Sequence, residues 1–210
     1  MSELPPELAR HRLIPVITLD EPRHGPPLLD ALVAGGLPCA EVTFRTPAAL
    51  DGLRAMAAAA GGSALVGAGS VLRAEQVAPA VDAGARFIVT PGLSPAVLRE
   101  CADRGVPVLP GVATATEICA ALDAGITAVK LFPAEPLGGV GLIEALRGPF
   151  PDVRFVPTGG IGAGQLPGYL ACPAVAAVGG SWMASRRLIQ QERFDEIARL
   201  TAAAVDLARR

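Results

Sequence analysis

The strongest constraint on this chain is a repeat of pattern rather than of wording. Eight apolar runs of strand length, near residues 13–19, 39–45, 64–70, 86–90, 106–109, 127–132, 153–157 and 174–179, alternate with Ala/Leu-rich stretches of helical length near 26–35, 47–60, 73–83, 94–104, 115–124, 138–147, 163–171 and 190–208. Several of the runs, FIVT at 87–90 among them, are apolar on both faces. A strand of that kind belongs in a parallel sheet covered by helices, not in a sheet with one wet face. Eight successive βα units fit a closed barrel better than an open, doubly wound sheet, and 210 residues lie near the lower size limit of the barrel, so its loops must be short. The open sheet's dinucleotide fingerprint is missing, since GAGSVL at 67–72 lacks the third glycine, and no Gly-Lys pair exists to make a P-loop. The expectation is therefore α/β: a single (β/α)8 TIM barrel spanning 1–210 as one domain, with a short leading helix near 3–10.

Composition narrows the function. With 51% hydrophobic residues the chain can bury one sizeable core, and a formal net charge of -2, with acids and bases interspersed, leaves no basic stripe for nucleic acid. The first residues, MSELPPELARHR, lack the apolar stretch of a secretory signal, which points to the cytoplasm. Residues 155–185 carry no charge, but Pro157, Pro167, Pro173 and many glycines break any membrane-spanning helix there. Cys39, Cys101, Cys119 and Cys172 stand far apart, with no paired spacing, and read as small apolar fillers in a reducing compartment. His11 and His24 are the only histidines and show no metal-ligand spacing, so neither zinc nor any other cofactor is expected.

Of the 18 basic residues only Lys130 is a lysine. It lies in the apolar strand ITAVKLFPAE, where a charged amine is costly without a specific purpose, a snorkelling or ion-paired lysine being the plain alternative. A primary amine can lose its proton, attack a ketone and form an imine that acts as an electron sink, which no guanidinium can do. Burial with a second cation nearby would expose the nucleophilic free base. Strand alternation puts Ala128, Lys130 and Phe132 on one face and Val129 and Leu131 on the other, so Lys130 is expected inside the barrel near its C-terminal, catalytic mouth.

The run CAEVTFRT repeats that geometry, with Cys39, Glu41, Thr43 and Arg45 on one face. Glu41 suits proton transfer, and Arg45 suits a two-pronged grip on a planar carboxylate, although a plain Glu41–Arg45 ion pair would explain the same spacing. VPTGGIG at 156–162 and VGGSWM at 178–183 follow strands seven and eight, where this fold usually holds phosphate. Glycines there let backbone N–H groups approach an anion, and a following helix N-terminus would add to the attraction.

With EVTFRT, VGAGSVL, VTPGL, LPGVAT, VKLFPAE, PTGGI and GGSW in this order, the chain resembles the 2-keto-3-deoxy-6-phosphogluconate (KDPG) aldolase family over nearly its whole length, including bifunctional forms that also cleave 4-hydroxy-2-oxoglutarate. The resemblance implies a cofactor-free lyase with Lys130 as the Schiff-base residue, Glu41 as the proton shuttle and Arg45 as the ligand of the pyruvate carboxylate. It also implies Phe132 beside the pyruvyl group, Pro91 shaping the pocket, Thr158 bonding the substrate hydroxyls near the cleaved bond, and Gly159, Gly160, Gly180 and Ser181 around the phosphate of a 2-keto-3-deoxy sugar acid. Three positions depart from the family's usual residues. Ser70 replaces a threonine, keeping the hydroxyl for the carboxylate with looser packing, while Leu131 and Phe44 face outward. Thr158 favours the gluconate over the galactonate configuration, and a homotrimer is the family's usual assembly. Two other readings are an isomerase or epimerase of a sugar phosphate, which needs no buried amine, and a non-catalytic phosphosugar-binding barrel, which would tolerate Lys130→Arg.

Overall fold

A computed structural model describes residues 4–209. Helix α1 (Pro6–His11) leads into β1 (Leu13–Ile17), and the chain then alternates through α2 (Gly25–Ala34), β2 (Cys39–Thr43), α3 (Ala49–Ala60), β3 (Leu65–Gly69), α4 (Val77–Asp82), β4 (Ile88–Val89) and α5 (Pro95–Asp103). Strands β5 (Val108–Leu109) and β6 (Gly111–Val112) come next, then α6 (Ala115–Asp123), β7 (Ala128–Leu131), α7 (Gly139–Arg147), β8 (Arg154–Phe155), α8 (Leu166–Ala171), β9 (Val178–Gly180), α9 (Arg186–Gln190) and α10 (Phe194–Arg209).

All the strand pairs are parallel. One sheet runs β5-β4-β3-β2-β1-β9 and another β6-β7-β8. The two join at both ends. β5 and β6 are one barrel strand interrupted at Pro110, which has no N–H to give; Leu109 pairs with Val89 on one side and Gly111 with Lys130 on the other. At the second seam, bridges Phe155↔Val175 and Thr158↔Gly179, with Gly179 N donating to Pro157 O at 2.9 Å, carry β8 onto β9. Among the described residues, counting β5 and β6 together, eight strands close the ring, which leaves that ring no open edge.

The outward side chains explain why the helices stay. Val129 and Leu131 on β7, and Ala40 and Val42 on β2, are fully buried under them. Fully burying one such branched residue is worth about 1.5–3 kcal/mol, so the helical layer is held mainly by these contacts. Local signals punctuate it: the Thr114 hydroxyl accepts from Glu117 N while the Glu117 carboxylate accepts from Thr114 N, a reciprocal cap on α6. Helix α1 seats the fully buried Leu8 at the N-terminal end of the barrel, where Leu8, Phe87, Leu109 and the interior residue Ala128 line a small cavity.

Several expected boundaries move. The helix expected near 3–10 begins at Pro6, and residue 3 lies outside the described residues. The expected 106–109 strand continues to Val112, because the barrel strand changes partner across Pro110. The stretch at 73–83 opens with a 3-10 turn, Ala74–Gln76, before α4. The long helix expected near 190–208 is two: α9 stops at Gln190, the chain turns through Glu192 at φ 53, and α10 begins at Phe194. The cysteines are not uniform fillers, since Cys119 is exposed while the other three are buried. Among the described residues no helix is long and apolar enough to cross a membrane.

Candidate active site

β2 and the barrel strand β7 are four strands apart in a ring of eight, so they stand opposite each other. Side chains from the two can meet only across the interior. Lys130 and Glu41 do so: Lys130 Nζ donates to Glu41 Oε1 at 3.1 Å and to Oε2 at 3.4 Å, with the two side chains 4% and 2% exposed. The register explains the meeting. Glu41 pairs with Val16 and Gly67 and Lys130 with Gly111, and the two side chains meet in the interior. Gly69 is part of the arrangement, because a Cβ there would overlap the Glu41 carboxyl group. The charged neighbour of the amine is thus the Glu41 carboxylate. The lysine sits in a buried ion pair.

Arg45 does not share the interior with Glu41. β2 ends at Thr43, Arg45 N bonds back to Thr43 O at 2.8 Å, and the exposed guanidinium gives Nε to Ser70 Oγ at 2.9 Å. The alternative Glu41–Arg45 ion pair is therefore not formed. Ser70 stands at φ 54, a left-handed conformation that turns its hydroxyl back toward Arg45 and leaves the outer guanidinium nitrogens for a ligand.

Phe132, half-buried, places its ring centroid 5.4 Å from Lys130 Nζ, close enough for a cation–π contact. Pro91 is set by Thr90, whose hydroxyl donates to Gly92 O at 2.7 Å and accepts from Gly111 N at 3.2 Å. Thr158, 6% exposed, lies against Gly179, where any Cβ would strike its hydroxyl. Gly159 and Gly160 follow with φ 105 and 82, conformations that glycine adopts without strain. They are pinned to the loop after β7: Ala134 N donates to Thr158 O at 2.9 Å and Glu135 N to Gly159 O at 3.0 Å. Gly180 is buried beneath the Trp182 ring and Ser181 is exposed. The helix termini expected to follow these glycines are displaced, since α8 starts at Leu166 and α9 at Arg186, so an anion here would meet loop N–H groups instead.

A model of the aldolase family described as KDPG and KHG aldolase matches residues 6–200. The chain belongs to that family. The 2-dehydro-3-deoxy-phosphogluconate aldolase of Haemophilus influenzae is 45% identical over 96% of this chain and 94% of its own length. The KHG/KDPG aldolase of Escherichia coli K12 is 40% identical over 94% of this chain and 92% of its own. Among solved structures, the KDPG aldolase of Legionella pneumophila, captured with pyruvate as a covalent carbinolamine, superposes with a TM-score of 0.91 at 38% identity, covering 94% of this chain and 96% of that one.

Within this aldolase barrel the interior also holds the hydroxyl of Thr43, expected on that face, and that of Thr18, which strand reading passed over. Thr43 Oγ1 donates to Ile17 O at 2.7 Å, so the contact with Thr18 Oγ1 at 3.0 Å has Thr18 as donor. Alternation along β1 and β2 signals both, but threonine is so common in strands that the type alone carries no weight. Among the described residues no group of three or more His, Cys, Asp or Glu gathers as a metal would require.

Proposed function

We propose that this chain is a class I aldolase that cleaves 2-keto-3-deoxy-6-phosphogluconate to pyruvate and glyceraldehyde 3-phosphate through an imine on Lys130. The observation that carries the reading is the buried 3.1 Å contact between Lys130 Nζ and Glu41 Oε1 inside the barrel. An amine and a carboxylate so placed can exchange the proton that every step needs. Lys130 gives its proton to Glu41 and attacks C2 of the ketone; Glu41 then protonates the carbinolamine hydroxyl, which leaves as water. Glu41, ionised again, takes the proton of the C4 hydroxyl, the C3–C4 bonding pair moves into the iminium, and the aldehyde departs. Glu41 returns a proton to C3 of the enamine, and water releases pyruvate and the free lysine.

Arg45, steadied by Ser70, holds the carboxylate; Phe132 and Pro91 wall the pyruvyl group. The N–H groups of Gly159, Gly160, Gly180 and Ser181 take the phosphate. Thr158 beside Gly179 supports the gluconate over the galactonate configuration, and 4-hydroxy-2-oxoglutarate, cleaved to pyruvate and glyoxylate, is the second substrate. An isomerase reading has no use for a buried amine, and a binding protein has no use for its carboxylate partner. Borohydride added with pyruvate should leave a reduced adduct on the peptide containing Lys130, read by mass spectrometry; an unmodified peptide in an active preparation defeats the proposal. Pyruvate release from both epimers and from 4-hydroxy-2-oxoglutarate, followed side by side, tests the substrate. We place the enzyme in the cytoplasm as a homotrimer, for which light scattering should read three times the 21.3 kDa chain mass.

A further inference from the structure

The segment VKLFPAE ends in a glutamate that the chemistry above does not use. Glu135 follows Pro133 at the mouth of β7, and its backbone N–H already holds Gly159 O. Its side chain continues the same connection. A Cβ on Gly160 would lie 2.7 Å from Glu135 Cβ and 3.0 Å from its Cγ, so the aliphatic part of the glutamate rests directly on the Gly160 backbone. The carboxylate is carried past that glycine to Tyr169 on α8, whose hydroxyl donates to Glu135 Oε1. Gly139, at φ 60, leaves room for the pair: a Cβ there would come within 3.0 Å of both Glu135 Oε1 and the Tyr169 hydroxyl oxygen.

Tyr169 is 1% exposed, among the largest fully buried side chains of the protein. Burial, then the hydrogen bond to Glu135, push its phenol above the ordinary range, so it stays a donor at any physiological pH. A buried hydroxyl and a carboxylate joined over 34 residues of chain are a costly pair to keep if helix packing were all they supplied, since phenylalanine would fill the same space.

We propose that Glu135, fastened by the Tyr169 hydroxyl, is a positioning residue that clamps Gly159 and Gly160 in their left-handed conformation and so sets the affinity for the phosphate end of the substrate. The inference rests on the reading of that loop as the phosphate cradle. Free of Tyr169, the glutamate side chain could rotate off Gly160, and the loop would have to be ordered by the ligand at the ligand's expense. The carboxylate would also be free to swing toward an incoming dianion. Neither change touches Lys130 or Glu41.

The experiment uses the wild type, Tyr169→Phe, Glu135→Ala and Glu135→Gln, each measured for cleavage of 2-keto-3-deoxy-6-phosphogluconate, cleavage of 4-hydroxy-2-oxoglutarate, and deuterium exchange into the methyl group of pyruvate. Tyr169→Phe and Glu135→Ala should raise KM for the phosphorylated substrate about tenfold, the scale of one hydrogen bond to a charged group, with kcat and methyl exchange unchanged. Glu135→Gln keeps an acceptor for the phenol and should stay close to wild type. A phosphate-preferring enzyme whose KM is unmoved by Tyr169→Phe and Glu135→Ala overturns the clamp alone, as does an equal loss on every substrate and in methyl exchange, which would mean general distortion. A wild type indifferent to the phosphate overturns the cradle and the clamp together. If Glu135→Ala does not fold, Tyr169→Phe decides by itself.

Discussion

Lys130→Met is the perturbation that separates the chemistry of the central ion pair from its contribution to stability. At 3.1 Å, and with both partners nearly sealed from water, the pair attracts by about 5 kcal/mol at an effective dielectric of about 20. Removing the lysine leaves Glu41 as a lone buried charge, and breaking such pairs costs about 3–5 kcal/mol, close to the Coulomb figure. In a chain of this length that lowers the melting temperature by roughly 10 °C. The double variant Glu41→Leu/Lys130→Met removes both charges and should return to within about 1 kcal/mol of the wild type, because apolar replacements of a whole buried pair are often neutral or better. It should have no aldolase turnover at all. Urea unfolding followed by the single tryptophan, Trp182, gives these free energies. A single variant that loses under about 1 kcal/mol at pH 8, or a double variant as unstable as the single, would refute the account.

Two further outcomes follow from the environments of individual groups. Cys119 is exposed, whereas burial pushes the Cys39 and Cys101 thiols up to about 12, so a thiol reagent at pH 8 should modify Cys119 rapidly in the folded protein and reach Cys39 and Cys101 only on unfolding; fast native labelling of Cys39 would contradict the packing. His11 is held below its ordinary 6.5, first by burial and then by Arg10 and Arg209, and its Nε2 has no hydrogen-bond partner among the described residues, so below that pH the folded state holds fewer protons than the unfolded chain. Its share of stability is complete above about pH 6.5 and declines as the pH falls toward the lowered value, so His11→Leu should reduce the drop in melting temperature between pH 7 and pH 5.5; an unchanged drop assigns that drop to other groups.

Sequence alone was sufficient for the architecture and for the inward placement of Lys130, and the reason is local in both cases. A strand buried on both faces has to be apolar throughout, so βα alternation is written in the hydrophobic pattern, and one lysine among arginines announces a need for an amine. Alternation within β7 likewise decides which way Lys130 points relative to Val129 and Leu131. What lies across from it is another matter. Only closure of the ring brings β2 opposite β7, and only the missing Cβ of Gly69 lets Glu41 reach the amine, so the Lys130 ion pair forms in place of the alternative Glu41–Arg45 bridge. Arg45 turned instead to Ser70 because its strand ends two residues earlier, a boundary set by pairing with β3 and invisible in the spacing. The same holds for the 34-residue reach from Glu135 to Tyr169. Contacts between residues distant in the chain depend on register and on which glycines leave room, and those are properties of packed neighbours rather than of any one segment.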